Sequence, residues 1–325
     1  MNTLPTLVIV HAKCNDGLGA AWAARTWIHD AEVITGAYGQ PAPDVTGRDV
    51  LIFDFSYPRD VLIAMHAQAN SLVVVDHHVS AKLDLVGLDF AIFDTSKSGA
   101  VLAWEYLASR PGAVKSARKD DDIHNRLYVS FVAEGDVVPV PDLLQYIQDR
   151  DIWQWNLYRS REINELIASV IDWDMTLYDN IYALELLNRR FEADTLDMIA
   201  DDGAVLLHRR EKLIKECTSK YFWVDIKLEG QYYRIPVAFS PVSIRSEVAH
   251  SLAVLPENEH GTAISIQGMS YGKFGMSYRG VGDTDLPMRL AIAAGGGGHK
   301  LAAGAGYTPL QLALLIGSAV GQTFP

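Results

Sequence analysis

The tripeptide Asp76-His77-His78 follows the apolar run Leu72-Val73-Val74-Val75, so a carboxylate and two imidazoles stand at the tip of what reads as a buried strand. One imidazole there can bind a metal ion while the other faces a phosphate, but histidines at strand ends also serve as hydrogen-bonded structural residues. The tripeptide alone does not decide between them. Two other apolar runs end the same way. His11-Ala12-Lys13-Cys14-Asn15-Asp16-Gly17 leaves the first run, with Gly17 letting the chain turn tightly into a helix, and Asp54 closes the second in Phe53-Asp54-Phe55. A carboxylate buried at a strand tip is costly unless a cation or a hydrogen-bond donor neutralises it. Taken singly, Asp54 also reads as a cap for a helix starting near Pro58, and Asp149-Arg150-Asp151 as a salt-bridge cluster at a helix end. Three ligand-type loops in register are harder to explain as caps.

The elements that must position these groups follow from periodicity. Residues 7–10, 50–54, 72–76 and 90–94 read as short buried strands, and residues 18–28, 59–69 and 101–107 as helices between them. Such alternation predicts an α/β fold with a parallel sheet and helices on both faces. His11, Asp54, Asp76-His77-His78 and Asp94 then lie at strand ends, and ligand sites in open sheets lie beyond the carboxyl ends of strands. Ser98 is expected to cap the helix that starts near Val101. Residues 109–122 read as an exposed loop or a small insertion, and a helix runs from 142 to 146.

Three parts are expected: a catalytic domain over 1–174, a helical connector over 175–220, and a smaller α/β domain over 221–325. In the last part, 232–239, 263–267 and 275–278 read as strands, with Tyr271-Gly272-Lys273 a hairpin turn between the latter two. A run from Gly295 to Gly298 leads into His299, and a helix start there would offer free N–H groups to a phosphate. Arg279 and Arg245 are candidate forked donors beside it.

A chain of 325 residues suggests two domains, and 49% apolar with 21% charged residues is ordinary globular usage. A net charge of −12 argues against a general nucleic-acid binder and against long duplexes, though not against a small phosphorylated substrate. The apolar run 3–10 lacks a basic lead, and 310–320 is shorter than the about 20 residues a membrane helix needs, so neither a signal peptide nor a membrane span is expected. Two cysteines, Cys14 and Cys217, make no disulfide framework, which points to the cytoplasm.

In this order, His11…Asp16-Gly17, Asp54, Asp76-His77-His78 and Asp149 resemble the four motifs of the DHH phosphoesterase superfamily. Gly296-Gly297-Gly298-His299-Lys300-Leu301-Ala302-Ala303-Gly304 resembles the glycine-rich motif of that family's associated C-terminal domain. The resemblance spans nearly the whole chain. It implies one or two divalent ions, Mn2+ or Mg2+, with His11, Asp16 and Asp54 on one and Asp54, His77 and Asp149 on the other. Oxygen and imidazole ligands without a committed thiolate suit those ions. Asp76 and His78 become the catalytic pair, orienting His77 and serving the leaving oxygen, and Arg279, Gly297, Gly298 and His299 become the substrate grip.

The activity implied is a metal-dependent phosphodiesterase acting on short oligoribonucleotides or on linear or cyclic dinucleotides. The expected partner is a short RNA or dinucleotide, with no membrane and no duplex DNA; a homodimer is left open. Two alternatives are a pyrophosphatase-like phosphohydrolase and a non-catalytic nucleotide-binding protein. The latter is raised by Leu18, which stands where the family commonly has a ligating Asp. The His11-to-Asp16 spacing is also one residue longer than in many members, and Cys14 is expected to pack as a small apolar residue.

Overall fold

Short runs of Val, Ile, Leu and Phe lack helical length and send alternate side chains to opposite sides, so they pair as strands that bury both faces. In the computed structural model, which describes residues 4–110, 114–118, 127–131, 138–270 and 272–319, they form the centre of the first of two compact units. The units are Met1–Leu207 and His208–Pro325.

In the first unit, β1 (Leu7–His11), α1 (Asn15–Trp27), β2 (Glu32–Gly36), β3 (Asp49–Phe53), α2 (Arg59–Gln68), β4 (Ser71–Asp76), α3 (Val79–Asp84), β5 (Ala91–Phe93) and α4 (Gly99–Ala108) follow in order. The five strands make a parallel sheet with order β2-β1-β3-β4-β5. Val8, Val10, Leu51, Phe53 and Val75 face one core with α1 and α4, while Leu7, Ile9, Val50, Ile52 and Val74 face the other with Leu62 and Met65 of α2. On the first face Trp22 stacks on Trp104 at 5.7 Å and Trp27 meets the same ring edge-on at 5.2 Å. Trp104 is fully buried, so truncating it to alanine would cost about 3–5 kcal/mol.

β2 had no counterpart among the strands expected from sequence. It is an edge strand whose only buried positions are Val33 and Gly36, too few to stand out as an apolar run. The expected insertion after α4 contains an antiparallel ribbon of β6 (Val114–Arg118) and β7 (Leu127–Phe131). Four helices then complete the unit's core: α5 (Asp142–Asp151), α6 (Ser160–Ser169), α7 (Leu177–Ala193) and α8 (Leu196–Thr218). The division between the units falls inside α8.

The second unit comprises β8 (Phe222–Leu228), β9 (Gln231–Phe239), α9 (Arg245–Ala253), β10 (Thr262–Ser270), β11 (Lys273–Gly280), α10 (Leu286–Ala293), β12 (Gly297–His299), β13 (Ala302–Tyr307) and α11 (Pro309–Ala319). Its sheet runs β12-β13-β11-β10-β9-β8, antiparallel except for β9 with β10. α10 and α11 pack on one face and α9 on the other. β10 and β11 pair up to Ser270 opposite Lys273; Tyr271 of the expected turn lies outside the described residues. Among the described residues no helix is long and apolar enough to cross a membrane.

Candidate metal centre

In a sheet ordered β2-β1-β3-β4-β5, the chain order reverses between β1 and β3. α1, which follows β1, packs on one face, and α2, which follows β3, packs on the other. A crevice opens between such loops, and ligands of doubly wound sheets bind there. His11 is the last residue of β1 and Asp54 the first after β3, so both stand at that point.

Asp54 takes a left-handed backbone, φ +56°, where a non-glycine residue is strained by roughly 1–3 kcal/mol. Its carboxylate is 1% exposed and lies between two imidazoles. His77 Nε2 is 3.1 Å from Oδ1, and His11 Nδ1 is 3.7 Å from Oδ2. The latter distance is too long for a hydrogen bond. Both atoms are buried and make none within the protein. His11 is set by stacking on Phe55 at 5.9 Å and by an edge contact with Tyr38 at 5.5 Å.

His77 Nε2 faces two further carboxylates, Asp151 Oδ2 at 3.6 Å and Asp16 Oδ2 at 3.7 Å. Asp16 sits in the first turn of α1 and accepts from the N–H groups of Gly99 (2.6 Å) and Ala100 (3.0 Å), so the positive end of α4 anchors it. The approach of α4 depends on Gly99, because a Cβ there would lie 2.3 Å from Asp54 Cβ. Gly17 is similarly confined, with a Cβ 2.3 Å from the carbonyl oxygen of His11. Ser98 caps α4 by accepting from Val101 N–H.

Three carboxylates in one crevice, Asp16, Asp54 and Asp151, strain one another. Burial, then the charges of Asp54 and Asp151, raise Asp16 well above the usual carboxylate range; desolvation in the crevice and the charge of Asp54 raise Asp151, whose side chain keeps 26% exposure. For Asp54, burial pushes upward, but the neighbouring imidazoles of His11, His77 and His78 together outweigh it and hold the group far below that range. Burial disfavours the His77 imidazolium, yet Asp54, Asp151 and Asp16 together push its pKa to about 10. A divalent cation would relieve this like-charge crowding and use the lone pairs on His11 Nδ1 and Asp54 Oδ2. Donor atoms of His11, Cys14 and Asp54 lie within 4.8 Å of one another, as do those of Asp16, His77 and Asp151. The residues therefore fit bound divalent metal.

Of the ligands expected from sequence, His11, Asp16, Asp54 and His77 meet in this crevice, and Asp149 does not. Its Oδ1 accepts from Asn156 N–H (2.9 Å) and its Oδ2 from Leu157 N–H (3.2 Å), so it pins the loop after α5, where Trp153 and Trp155 both have positive φ. Asp151 faces His77 instead. Residues two apart on a helix point about 200° apart, so only one of the two acids can face the crevice. Helix phase alone does not single out Asp151, because Asp149 follows buried Tyr146 by three residues and Asp151 follows buried Ile147 by four.

Asp76 is occupied otherwise than expected. Its Oδ1 accepts from His78 Nδ1 (2.7 Å) and from the N–H groups of His77 (2.7 Å) and His78 (3.2 Å), and its Oδ2 from Ser56 Oγ (2.7 Å). Through its side chain it orients the His78 ring rather than that of His77. Burial disfavours the His78 imidazolium, but Asp76 outweighs this and raises the pKa. Asp94 is spent on Ser96, accepting from both its N–H and its Oγ, and does not join the site. Leu18 is 1% exposed within the core.

In the second unit, Arg279 donates through Nη2 to Ser246 Oγ (2.6 Å) and through Nη1 to Tyr278 O (3.0 Å). Gly297, Gly298 and His299 form β12, at the edge of the sheet. No helix starts at the glycine run, so the N–H groups that a helix start would offer to a phosphate are not available there. Gly296 N–H donates back to Ala291 O (2.8 Å) past the end of α10, and the next residues pair with β13. The glycines serve close backbone packing there: a Cβ on Gly296 would lie 2.0 Å from Gly304 O.

No family model matches the chain. It is 22% identical over 326 residues to uncharacterized protein R106 of Acanthamoeba polyphaga mimivirus, covering 94% of this chain and 68% of that one. Among solved structures it is similar to a pGpG-specific phosphodiesterase from Vibrio, with TM-score 0.43, 13% identity and coverage of 98% and 100%. It is also similar to an exopolyphosphatase-related protein from Bacteroides fragilis, with TM-score 0.40, 12% identity and coverage of 98% and 92%. Those activities are stated of those proteins.

Proposed function

We propose that the chain is a metal-dependent phosphodiesterase of the DHH type that hydrolyses short oligoribonucleotides or dinucleotides, with Mn2+ as its ion. One observation supports this above the others: Asp54, buried and strained, sits between His77 and His11 with one carboxylate oxygen left without a hydrogen bond. His11 and Asp54 on one side, and Asp16, His77, Asp151 and again Asp54 on the other, are the ligands in this reading. Divalent ions held there supply Lewis-acid activation of water and neutralise charge on the phosphoryl group.

The chain's own residues do the rest. The N–H groups of Gly99 and Ala100 hold the Asp16 carboxyl in place. Asp76 fixes the His78 ring through Nδ1, and its charge favours the imidazolium, so His78 holds a proton on Nε2 for delivery to the leaving oxygen. In the second unit Arg279 and His299 are the proposed grip on the end of the substrate away from the scissile bond. The net charge of −12 favours a short substrate over a long polyanion. The test is incubation with Mn2+ and a short single-stranded RNA, a linear dinucleotide and pyrophosphate. Release of mononucleotides is expected; cleavage of pyrophosphate alone would overturn the reading.

A further inference from the structure

The two groups of donors in the crevice differ chemically. Asp16, His77 and Asp151 offer oxygen and nitrogen, whereas His11, Cys14 and Asp54 offer nitrogen, sulfur and oxygen. Cys14 had been expected to pack as a small apolar residue, and its surroundings do not match that role. It belongs to neither apolar core of the first unit, whereas Cys217, the other free thiol, packs against an apolar cluster of the second. Cys14 precedes the first residue of α1, yet its side chain makes no capping hydrogen bond. Its Sγ lies within 4.8 Å of a donor atom of His11 and of Asp54, the two residues that carry the unsatisfied Nδ1 and Oδ2, and Asp54 is 1% exposed.

We propose that Cys14 is a metal ligand and makes the His11–Cys14–Asp54 site selective for a thiophilic divalent ion such as Zn2+, Co2+ or Cd2+, so that the two sites prefer different metals. This rests on the reading of the crevice as a metal centre. A thiolate favours such ions over Mg2+ and Mn2+, while the carboxylate-rich site suits the latter. On binding, the Sγ–H bond breaks, its proton leaves to solvent and the thiolate lone pair forms the bond to the ion, with no change of oxidation state. Excess Mn2+ still fills both sites, which keeps the proposed activity compatible with the sulfur ligand.

The test titrates metal-free full-length protein with Co2+, following the sulfur-to-metal charge-transfer absorption, with metal content measured by elemental analysis. The wild type is expected to show the band, Cys217→Ser to keep it, and Cys14→Ser to lose it while still binding an ion at the other site. Competition titrations with Cd2+ and Mn2+ should show Cd2+ affinity falling about tenfold or more in Cys14→Ser, and Mn2+ affinity much less. Cobalt bound by the wild type without the band overturns the sulfur ligand but leaves the metal centre standing. No bound metal in the wild type overturns both, so the two failures are distinct.

Discussion

Replacing Gly99 by alanine puts a methyl group where Asp54 already stands. The added Cβ would lie 2.3 Å from Asp54 Cβ, 2.7 Å from its Cα and 2.8 Å from its Cγ. Ordinary carbon contacts begin about 1 Å further out. The obstruction is backbone and the root of a side chain, not a flexible tip, and Asp54 is already strained at φ +56°. Either Asp54 moves or the start of α4 moves, and the latter takes with it the N–H groups that hold Asp16. Overpacking of this kind costs about 1–3 kcal/mol, which outweighs the up to about 1 kcal/mol that alanine gains in helix propensity. A catalytic group displaced by about 1 Å loses on the order of 100-fold in turnover. The assay is initial rate on a linear dinucleotide with saturating Mn2+, paired with thermal unfolding of the metal-free protein, where each kcal/mol lowers Tm by roughly 2–4 °C. Turnover within about threefold of wild type at an unchanged Tm would refute the idea that Gly99 sets the position of Asp54.

The two acids at the end of α5 should part company: Asp149→Asn lowers stability by about 1–3 kcal/mol with Mn2+ binding retained, and Asp151→Asn weakens Mn2+ binding at least about tenfold without lowering the Tm of the metal-free protein. The opposite pattern in calorimetry would return the ligand role to Asp149. In the metal-free protein the raised pKa of His77 gives stability that is complete below about 6.5 and lost as pH rises through about 10, by at most about 1.4 kcal/mol per pH unit. Tm should therefore fall between pH 7 and 9 without metal and fall less with Mn2+; a metal-free Tm that climbs over this range contradicts the charge balance described. Arg279→Ala or His299→Ala should slow dinucleotide hydrolysis far more than that of a small artificial phosphodiester, and equal losses would place these residues in catalysis or structure.

The sheet and its tip were readable because both signals are local. Val, Ile and Phe runs of strand length carry their own periodicity, and the polar groups that end them, His11, Asp54 and Asp76-His77-His78, need only adjacency to a strand end to be noticed. β2 escaped because an edge strand needs few buried residues, and its Val33 and Gly36 do not make a run. The choice between Asp149 and Asp151 could not be read from helix phase, since each follows a buried residue, Tyr146 or Ile147, by three or four positions; it depends on the loop after α5, whose N–H groups occupy Asp149. The neighbours of Cys14 were not legible because what surrounds a thiol depends on residues distant in the chain, here Asp54. The glycine run suggested a phosphate-binding helix start because glycine permits many conformations; only the pairing of β12 with β13 shows that close backbone approach is what it serves.

Asp54 as the bridge between two ions is the claim on which the catalytic account turns. Anomalous diffraction from crystals of the Mn2+-loaded protein measures it directly. Two manganese peaks about 3.5–4 Å apart, with Asp54 in contact with both, are the predicted result. A single peak, or two peaks with Asp54 touching neither or only one, would contradict it.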